Sequence, residues 1–333
     1  MNILLITFRF SPCNAIGAKR WSEFYKLSLK DPDINLTILT ANWLGKKIKD
    51  KNIYYLGDAI QYKPGKSSVK KTTLFDILRY PPKAFRSIDK SLLSSWYRAT
   101  KKWLIENKDK NFDIIISSYW PAGSIYLGNK AKKIFKLPLF LDLRDLISIQ
   151  GQKKKIFLLN QLDKIFDKHL NKNVDLFLTV SPTCANKARK FYNKKVLTVY
   201  NGMASEYDND EKLKVNIKKK IKILYTGSLG ITRNPKFFLN ILNEYCKTNK
   251  IEVVVKFPSQ DNPFDFIDKK NIVFDMEWLG YLNKKQLKKE KDKSNVFLLI
   301  EDQTKNGNEN LTGKIFEYML GKKPVMISCH PNS

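Results

Sequence analysis

Six short, almost wholly apolar runs, at 2–8, 35–40, 113–117, 137–143, 174–180 and 196–200, alternate with longer, lysine-rich amphipathic stretches. A strand with one wet face alternates apolar and polar residues, so unbroken apolar runs of this length predict strands buried on both faces. The stretches between them, at 18–29, 92–105, 124–135 and 156–170, read as helices. In the last, Phe157, Leu158, Leu162, Ile165 and Phe166 recur at helical spacing. Strand, helix, strand in this order predicts a parallel sheet covered on both faces. The pattern stops at Asn201-Gly202, and 204–220 is polar, charged and aperiodic. It restarts with strands at 222–226, 251–256, 295–300 and 324–328 and helices at 235–246 and near 312–320. The expectation is an α/β protein of two doubly wound, Rossmann-like parallel-sheet domains, 1–203 and 221–333, joined by a linker at 204–220. A cleft is expected where the carboxyl ends of the two sheets face each other. At 333 residues each domain can bury a core of its own.

Several function classes are excluded or weakened by composition. No apolar run approaches the ~18 residues a membrane span needs. The first apolar run has no basic residue before it, and Arg9 follows it, the reverse of a signal peptide. It reads as the first strand of a cytoplasmic protein. Cys13, Cys184, Cys246 and Cys329 form no C-x-x-C pair, and His169 and His330 are the only histidines. No zinc site, disulfide framework or multi-histidine metal centre is signalled, and a Ser-His-Asp triad is not expected.

The charge is large: 61 Lys plus Arg against 32 Asp plus Glu, a formal +29. Such a field attracts polyanions, although solvated surface lysines account for most of it. Nucleic acid is not the expected partner, because no helix-turn-helix, zinc spacing or RNP-like motif is present. An anionic membrane surface stays open. Segment 79–110 sets Trp96, Tyr97 and Trp103 among basic residues, which fits a helix packing its aromatics on the sheet or one resting them at a lipid interface. Lys153-Lys154-Lys155, before an apolar run, poses the same choice. The membrane reading would make the protein peripheral on the inner face of the cell membrane.

The chemistry concentrates between Asn308 and Val325. Thr312 or Asn310 is positioned to cap a helix starting at Gly313, Gly321 to supply a left-handed stop, and Pro324-Val325 to open a strand. Glu309 then lies in the loop before the helix and Glu317 about one turn inside it. The free N–H groups of Leu311, Thr312 and Gly313 suit a diphosphate. Carboxylates flanking such a terminus suit hydroxyl groups of a ribose and a sugar better than phosphate. An ordinary amphipathic helix with an exposed glutamate fits this stretch equally well.

The Glu-x7-Glu spacing of Glu309 and Glu317, with Gly313-Lys314-Ile315-Phe316-Glu317-Tyr318 and Gly321-Lys322-Lys323-Pro324-Val325, resembles the donor-site helix of retaining GT-B glycosyltransferases. Ile223 to Leu229 resembles the strand and turn that open their second domain, and Asn201-Gly202 and Leu279-Gly280-Tyr281-Leu282 match further landmarks. Pro138 to Leu146, P-L-F-L-D-L-R-D-L, and the loop Pro12 to Arg20 resemble first-domain features of glycosyltransferase family four. The resemblance covers nearly the whole chain. It implies metal-independent transfer, with retention, from a nucleoside diphosphate sugar and no other cofactor. The acceptor would be a glycan or lipid-linked molecule of polysaccharide, lipopolysaccharide or capsule biosynthesis.

By the same resemblance, Glu317 would hold ribose hydroxyls and Glu309 the donor sugar, with Tyr281 beside the base. Arg233 and Lys314 are candidates for the diphosphate near Gly227. Gly17, Arg20 and Arg144 fall on the acceptor side. Two departures matter. Ser228 stands where relatives often carry arginine, and Arg144-Asp145 where many carry histidine. Asp145 can orient or deprotonate an acceptor hydroxyl; equally, Asp142 and Arg144 can form only a local ion pair. Relatives continue past the strand at 324–328, so the second domain is expected to be incomplete at its end. The alternative is a shortened or inactive relative that binds nucleotide, membrane or a partner without turnover.

Overall fold

The computed structural model describes residues 1–13, 15–43, 48, 50–59, 89–144, 157–202, 220–301 and 312–329, with backbone alone at 16 and 157–159. The chain divides into two compact units, Met1–Ala204 and Ser205–Ser333. Apart from Lys220, the linker expected at 204–220 lies almost wholly outside the described residues.

The first unit holds β1 (Asn2–Thr7), β2 (Asn35–Asn42), β3 (Ile53–Asp58), β4 (Ile114–Tyr119), β5 (Leu139–Leu143), β6 (Leu176–Thr179) and β7 (Val196–Thr198). They form one parallel sheet in the order β3-β2-β1-β4-β5-β6-β7. Around it lie α1 (Ile16–Ser28), α2 (Ser95–Glu106), α3 (Ala122–Phe135), α4 (Phe157–Leu170) and α5 (Pro182–Tyr192). The strand order reverses between β1 and β4, the point where such sheets open a crevice beyond their carboxyl ends. Successive residues of β1 serve opposite faces. Leu4 and Ile6 join Trp96, Leu104 and Ile125, while Leu5 joins Trp21, Tyr25 and Ile38. This two-sided burial is what the unbroken apolar runs encode.

The second unit repeats the plan with β8 (Lys220–Tyr225), β9 (Glu252–Phe257), β10 (Asp275–Trp278), β11 (Val296–Ile300) and β12 (Val325–Ser328). All pairs are parallel, in the order β10-β9-β8-β11-β12. Its helices are α6 (Lys236–Asn249), α7 (Lys284–Lys293) and α8 (Gly313–Leu320). Ile223 and Tyr225 pack on one face with Leu298; Leu224 packs on the other with Phe297 and Tyr318. The two doubly wound parallel sheets are as the sequence predicts.

Two expectations are corrected and one open choice is decided. The helix expected at 92–105 is a 3-10 turn (Lys90–Leu93) followed by α2, divided where the Ser94 hydroxyl accepts the Tyr97 N–H. Trp96 and Trp103, considered for a lipid interface, are 0% and 7% exposed. Their rings pack on Phe8 and Tyr54, at 4.9 and 5.0 Å between centroids. Residues 79–88 and Lys153 to Lys155 lie outside the described residues. Gly321 is not the left-handed stop: its φ is −71°, and Lys322 takes the positive φ of 48°. Close approach is what requires glycine there, because a Cβ would sit 2.5 Å from Phe297 Cε2.

Candidate functional site

In the second unit, the turn after β8 is pinned from three directions. The Thr226 N–H donates to the Tyr318 hydroxyl of α8 at 3.0 Å, and the two side-chain oxygens lie 2.7 Å apart. The Tyr225 hydroxyl donates to the Ser228 carbonyl at 2.7 Å. The Leu229 N–H donates to Asp261 at 2.8 Å. Burial pushes the Tyr318 hydroxyl up to about 12, so it remains protonated and able to donate at neutral pH.

Gly227, in this turn, seats a cation. A Cβ there would lie 1.9 Å from Lys314 Nζ, whose ammonium also stands 5.3 Å from the centroid of the Tyr225 ring. Burial, and next the charge of Arg233, lower the Lys314 pKa from 10.5 to about 8, against the opposing pull of Glu301 and Glu317. Among the described residues no carboxylate lies within ion-pair distance of it. Lys314 is in the first turn of α8, which contains no acidic residue. Thr312 occupies the N-cap position but its side chain makes no capping bond. Among the described residues no side chain caps this terminus, and a helix start of this kind suits an anion.

Glu317 lies one turn further along α8, its side chain 32% exposed and paired with Lys291 of α7. Nothing in the sequence signals that pairing across two helices. Arg233 closes a small turn with Gly230, through backbone bonds of 3.2 and 3.4 Å, and acts on Lys314 through its charge. Tyr281 is exposed in the loop before α7 and takes part in none of these bonds. Gly227, Thr312, Gly313, Lys314 and Glu317 therefore share one region, with Arg233 in electrostatic reach. Glu309 and Leu311 lie outside the described residues.

The first unit seats a cation on a glycine in the same way. A Cβ on Gly17, in the first turn of α1, would meet Arg144 Nη1 at 2.0 Å. Arg144 donates to the Tyr119 carbonyl at 3.1 Å and lies 3.9 Å from Asp142. Asp142, on β5, is wholly buried. It pairs with Arg20 at 3.3 Å and accepts from Trp21 Nε1 at 2.9 Å and from the Ser118 hydroxyl at 3.0 Å. Arg20, 1% exposed, also donates to the Tyr200 carbonyl at 2.9 Å and to Asn201 at 3.1 Å. The expected Asp142–Arg144 contact is thus the longer of two ion pairs in a network centred on Asp142. Sequence reasoning missed Trp21 and Ser118; a lone aspartate inside an apolar strand was the available signal. Asp145 lies outside the described residues. Among those described, no group of three or more His, Cys, Asp or Glu side chains is placed to hold a metal ion.

No family model and no curated protein matches the sequence. Solved structures do match its fold. Sucrose-phosphate synthase from Thermosynechococcus elongatus superposes with a TM-score of 0.57 at 12% identity, over 98% of this chain and 80% of its own. The apo form of the lipopolysaccharide outer core galactosyltransferase WaaB gives 0.57 at 15% identity, over 99% and 81%. An alpha-glucosyltransferase in complex with UDP gives 0.50 at 13% identity, over 98% and 80%. At such identities the likeness is one of architecture. Two parallel-sheet α/β units in this order and these neighbours give the chain the GT-B fold.

Proposed function

We propose that the chain is a glycosyltransferase that takes a nucleoside diphosphate sugar on its second unit and passes the sugar to an acceptor on its first. The observation that carries this reading is the half-buried Lys314 ammonium in the first turn of α8, a helix whose N-cap residue Thr312 makes no side-chain capping bond. A half-buried cation with no counter-ion among the described residues, at a helix start that Thr312 leaves without a side-chain cap, is unfavourable until an anion arrives. A diphosphate answers both deficits. As it departs it gains charge, and Lys314, Arg233 and the N–H groups of Leu311, Thr312 and Gly313 act where that charge develops.

In this scheme Glu317 accepts ribose hydroxyls, Glu309 holds the donor sugar and Tyr281 stands beside the base. Gly17, Arg20 and Arg144 shape the acceptor side, where Asp145 orients or deprotonates the attacking hydroxyl. Transfer proceeds with retention and without a metal or other resident cofactor. The acceptor is a glycan or lipid-linked molecule of cell-surface polysaccharide assembly. The alpha-glucosyltransferase that shares the fold is in complex with UDP, the ligand chemistry this reading requires.

Calorimetric titration with uridine, guanosine and thymidine diphosphates tests the scheme. Glu317→Gln is expected to lower affinity for the preferred nucleotide by about 1–3 kcal/mol, because an amide is a poorer acceptor for two hydroxyls. Its melting temperature should barely move, since a partly exposed ion pair contributes about 0–1 kcal/mol. Unchanged affinity would remove Glu317 from the site. Failure of the parent to bind any nucleoside diphosphate would remove the reading itself.

A second variant separates seat from scaffold. In Gly227→Ala the new methyl takes the place of the ammonium, and Lys314, a flexible end, swings away. Diphosphate affinity should drop about tenfold, the loss of one charge-assisted hydrogen bond, without a matching loss of stability. Equal titration curves for parent and variant would show that Lys314 does not act from this seat.

A further inference from the structure

The helix α7 is built unlike the other described α-helices of its unit, since none of its residues is buried. Leu287, Glu290 and Lys291 form its half-buried side. Glu290 pairs with Lys256 at 3.3 Å, and Lys291 with Glu317. A reciprocal capping box fixes its start, with Gln286 N–H to Asn283 Oδ1 and Asn283 N–H to Gln286 Oε1 both at 3.0 Å. Every other side chain of α7 points outward.

Lys284, Lys285, Lys288 and Lys289 fill that outer face in two rows at i, i+4 spacing. All four are exposed, and none has an ion-pair partner among the described residues. Asp292 is the one carboxylate on that face. Like charges at this spacing destabilise a helix, and cations near its amino terminus oppose its dipole. The arrangement is therefore unfavourable in the isolated protein and is relieved by an opposing negative surface. At the end of the edge strand β10, six residues before α7, Trp278 is 46% exposed with its Nε1–H bonded to the Ser259 carbonyl.

We propose that the outer face of α7 docks the protein on an anionic lipid surface. A bilayer asks for clustered positive charge with no shape requirement, and an amphipathic indole suits its interface. Readers of nucleic acid rely on arginine forks and stacked aromatics, and α7 has neither. The docking face is distinct from the buried tryptophans of α2, and it does not depend on the sugar-transfer reading. Among the described residues no helix is long and apolar enough to cross a membrane, so the contact is with the surface.

The test is co-sedimentation of the full chain with vesicles of phosphatidylcholine, alone or mixed three to one with phosphatidylglycerol. Binding is expected only to the mixed vesicles and should decline as salt screens the charges. Changing Lys284, Lys285, Lys288 and Lys289 together to glutamine should weaken it about 1,000-fold, given the contribution of each lysine near such a surface. A control with Lys101, Lys108, Lys133 and Lys190, also exposed, changed to glutamine removes the same charge and should bind within about threefold of the parent. Circular dichroism checks that both variants are folded, and Lys284→Glu with Lys285→Glu, an equal change in charge at two positions, gives a second test in the same direction. Equal losses in the α7 and control variants would assign binding to total charge and overturn the proposal. So would absence of binding to mixed vesicles, or tighter binding to single-stranded RNA than to vesicles at matched charge.

Discussion

Replacing Lys314 with methionine should make the free protein more stable at neutral pH and a poor binder of diphosphates. Folding lowers this ammonium from 10.5 to about 8, chiefly by burial. Its folded pKa lies below its unfolded one, so between about pH 8 and 10.5 the unfolded chain holds more protons, and the parent gains stability as pH rises. Below pH 8 the full cost is present, about 3 kcal/mol. Lys314→Met removes that cost, so its advantage should be greatest below pH 8 and fade towards pH 10.5. A bound diphosphate supplies the missing countercharge and restores the higher pKa. The parent should therefore take up a proton on binding just above pH 8, seen as a buffer-dependent heat, and the variant should not. Affinity at neutral pH should fall by about 2–5 kcal/mol. A variant that binds as tightly as the parent, or that melts earlier, would contradict the account.

The largest loss of stability is expected in the first unit, at Asp142. Its carboxylate is 0% exposed and answers Arg20, 1% exposed, as well as Trp21 and Ser118. Asp142→Ala leaves a buried guanidinium without its charge partner and two donors without an acceptor, at a cost of about 3–5 kcal/mol. Asp142→Asn keeps an oxygen for Trp21 and Ser118 and should lose less. Adding Arg20→Met to Asp142→Ala should recover part of the loss, because the stranded charge is then gone. Urea unfolding of these four proteins and of Arg20→Met alone measures each step. A loss under about 1 kcal/mol for Asp142→Ala, or strictly additive effects, would show that the pair does not hold the unit together.

How much of this was legible in the sequence follows from what each residue touches. Strands such as Ile3 to Ile6 announced themselves because both faces of the sheet are covered, leaving no polar alternation. β3 did not, since Gly57 takes a positive φ of 63° within it and it is an edge strand with mostly half-buried residues. α5 was hidden because its buried contacts are the small Cys184, Ala185 and Ala188, which leave no strong apolar period. α7 buries nothing, so no period exists to read. Trp96 and Trp103 are ambiguous by nature: an indole among lysines suits a core or an interface, and only packing against Phe8 and Tyr54 decides. Within the candidate site, local chemistry made the helix start at Gly313 readable, with Thr312 at its N-cap position. The bonds joining Thr226 to Tyr318 and Lys291 to Glu317 span large separations in sequence, and pairings of that kind are set by topology.

Lys323 gives the lysine-rich composition a different meaning. Its ammonium donates to three carbonyls at the carboxyl end of α7 and beyond, those of Lys291 at 2.6 Å, Asp292 at 2.8 Å and Ser294 at 2.6 Å. These are the acceptors a helix leaves unanswered at its end, met by a tripod whose three donors diverge in three dimensions. An arginine has more donors and the same charge, but they lie in one plane and cannot converge on this arrangement. Lysine and arginine are therefore interchangeable over much of this surface and not at Lys323. Exchange between the two residues, tolerable at exposed positions without fixed partners, meets a geometric barrier in the turn between α8 and β12.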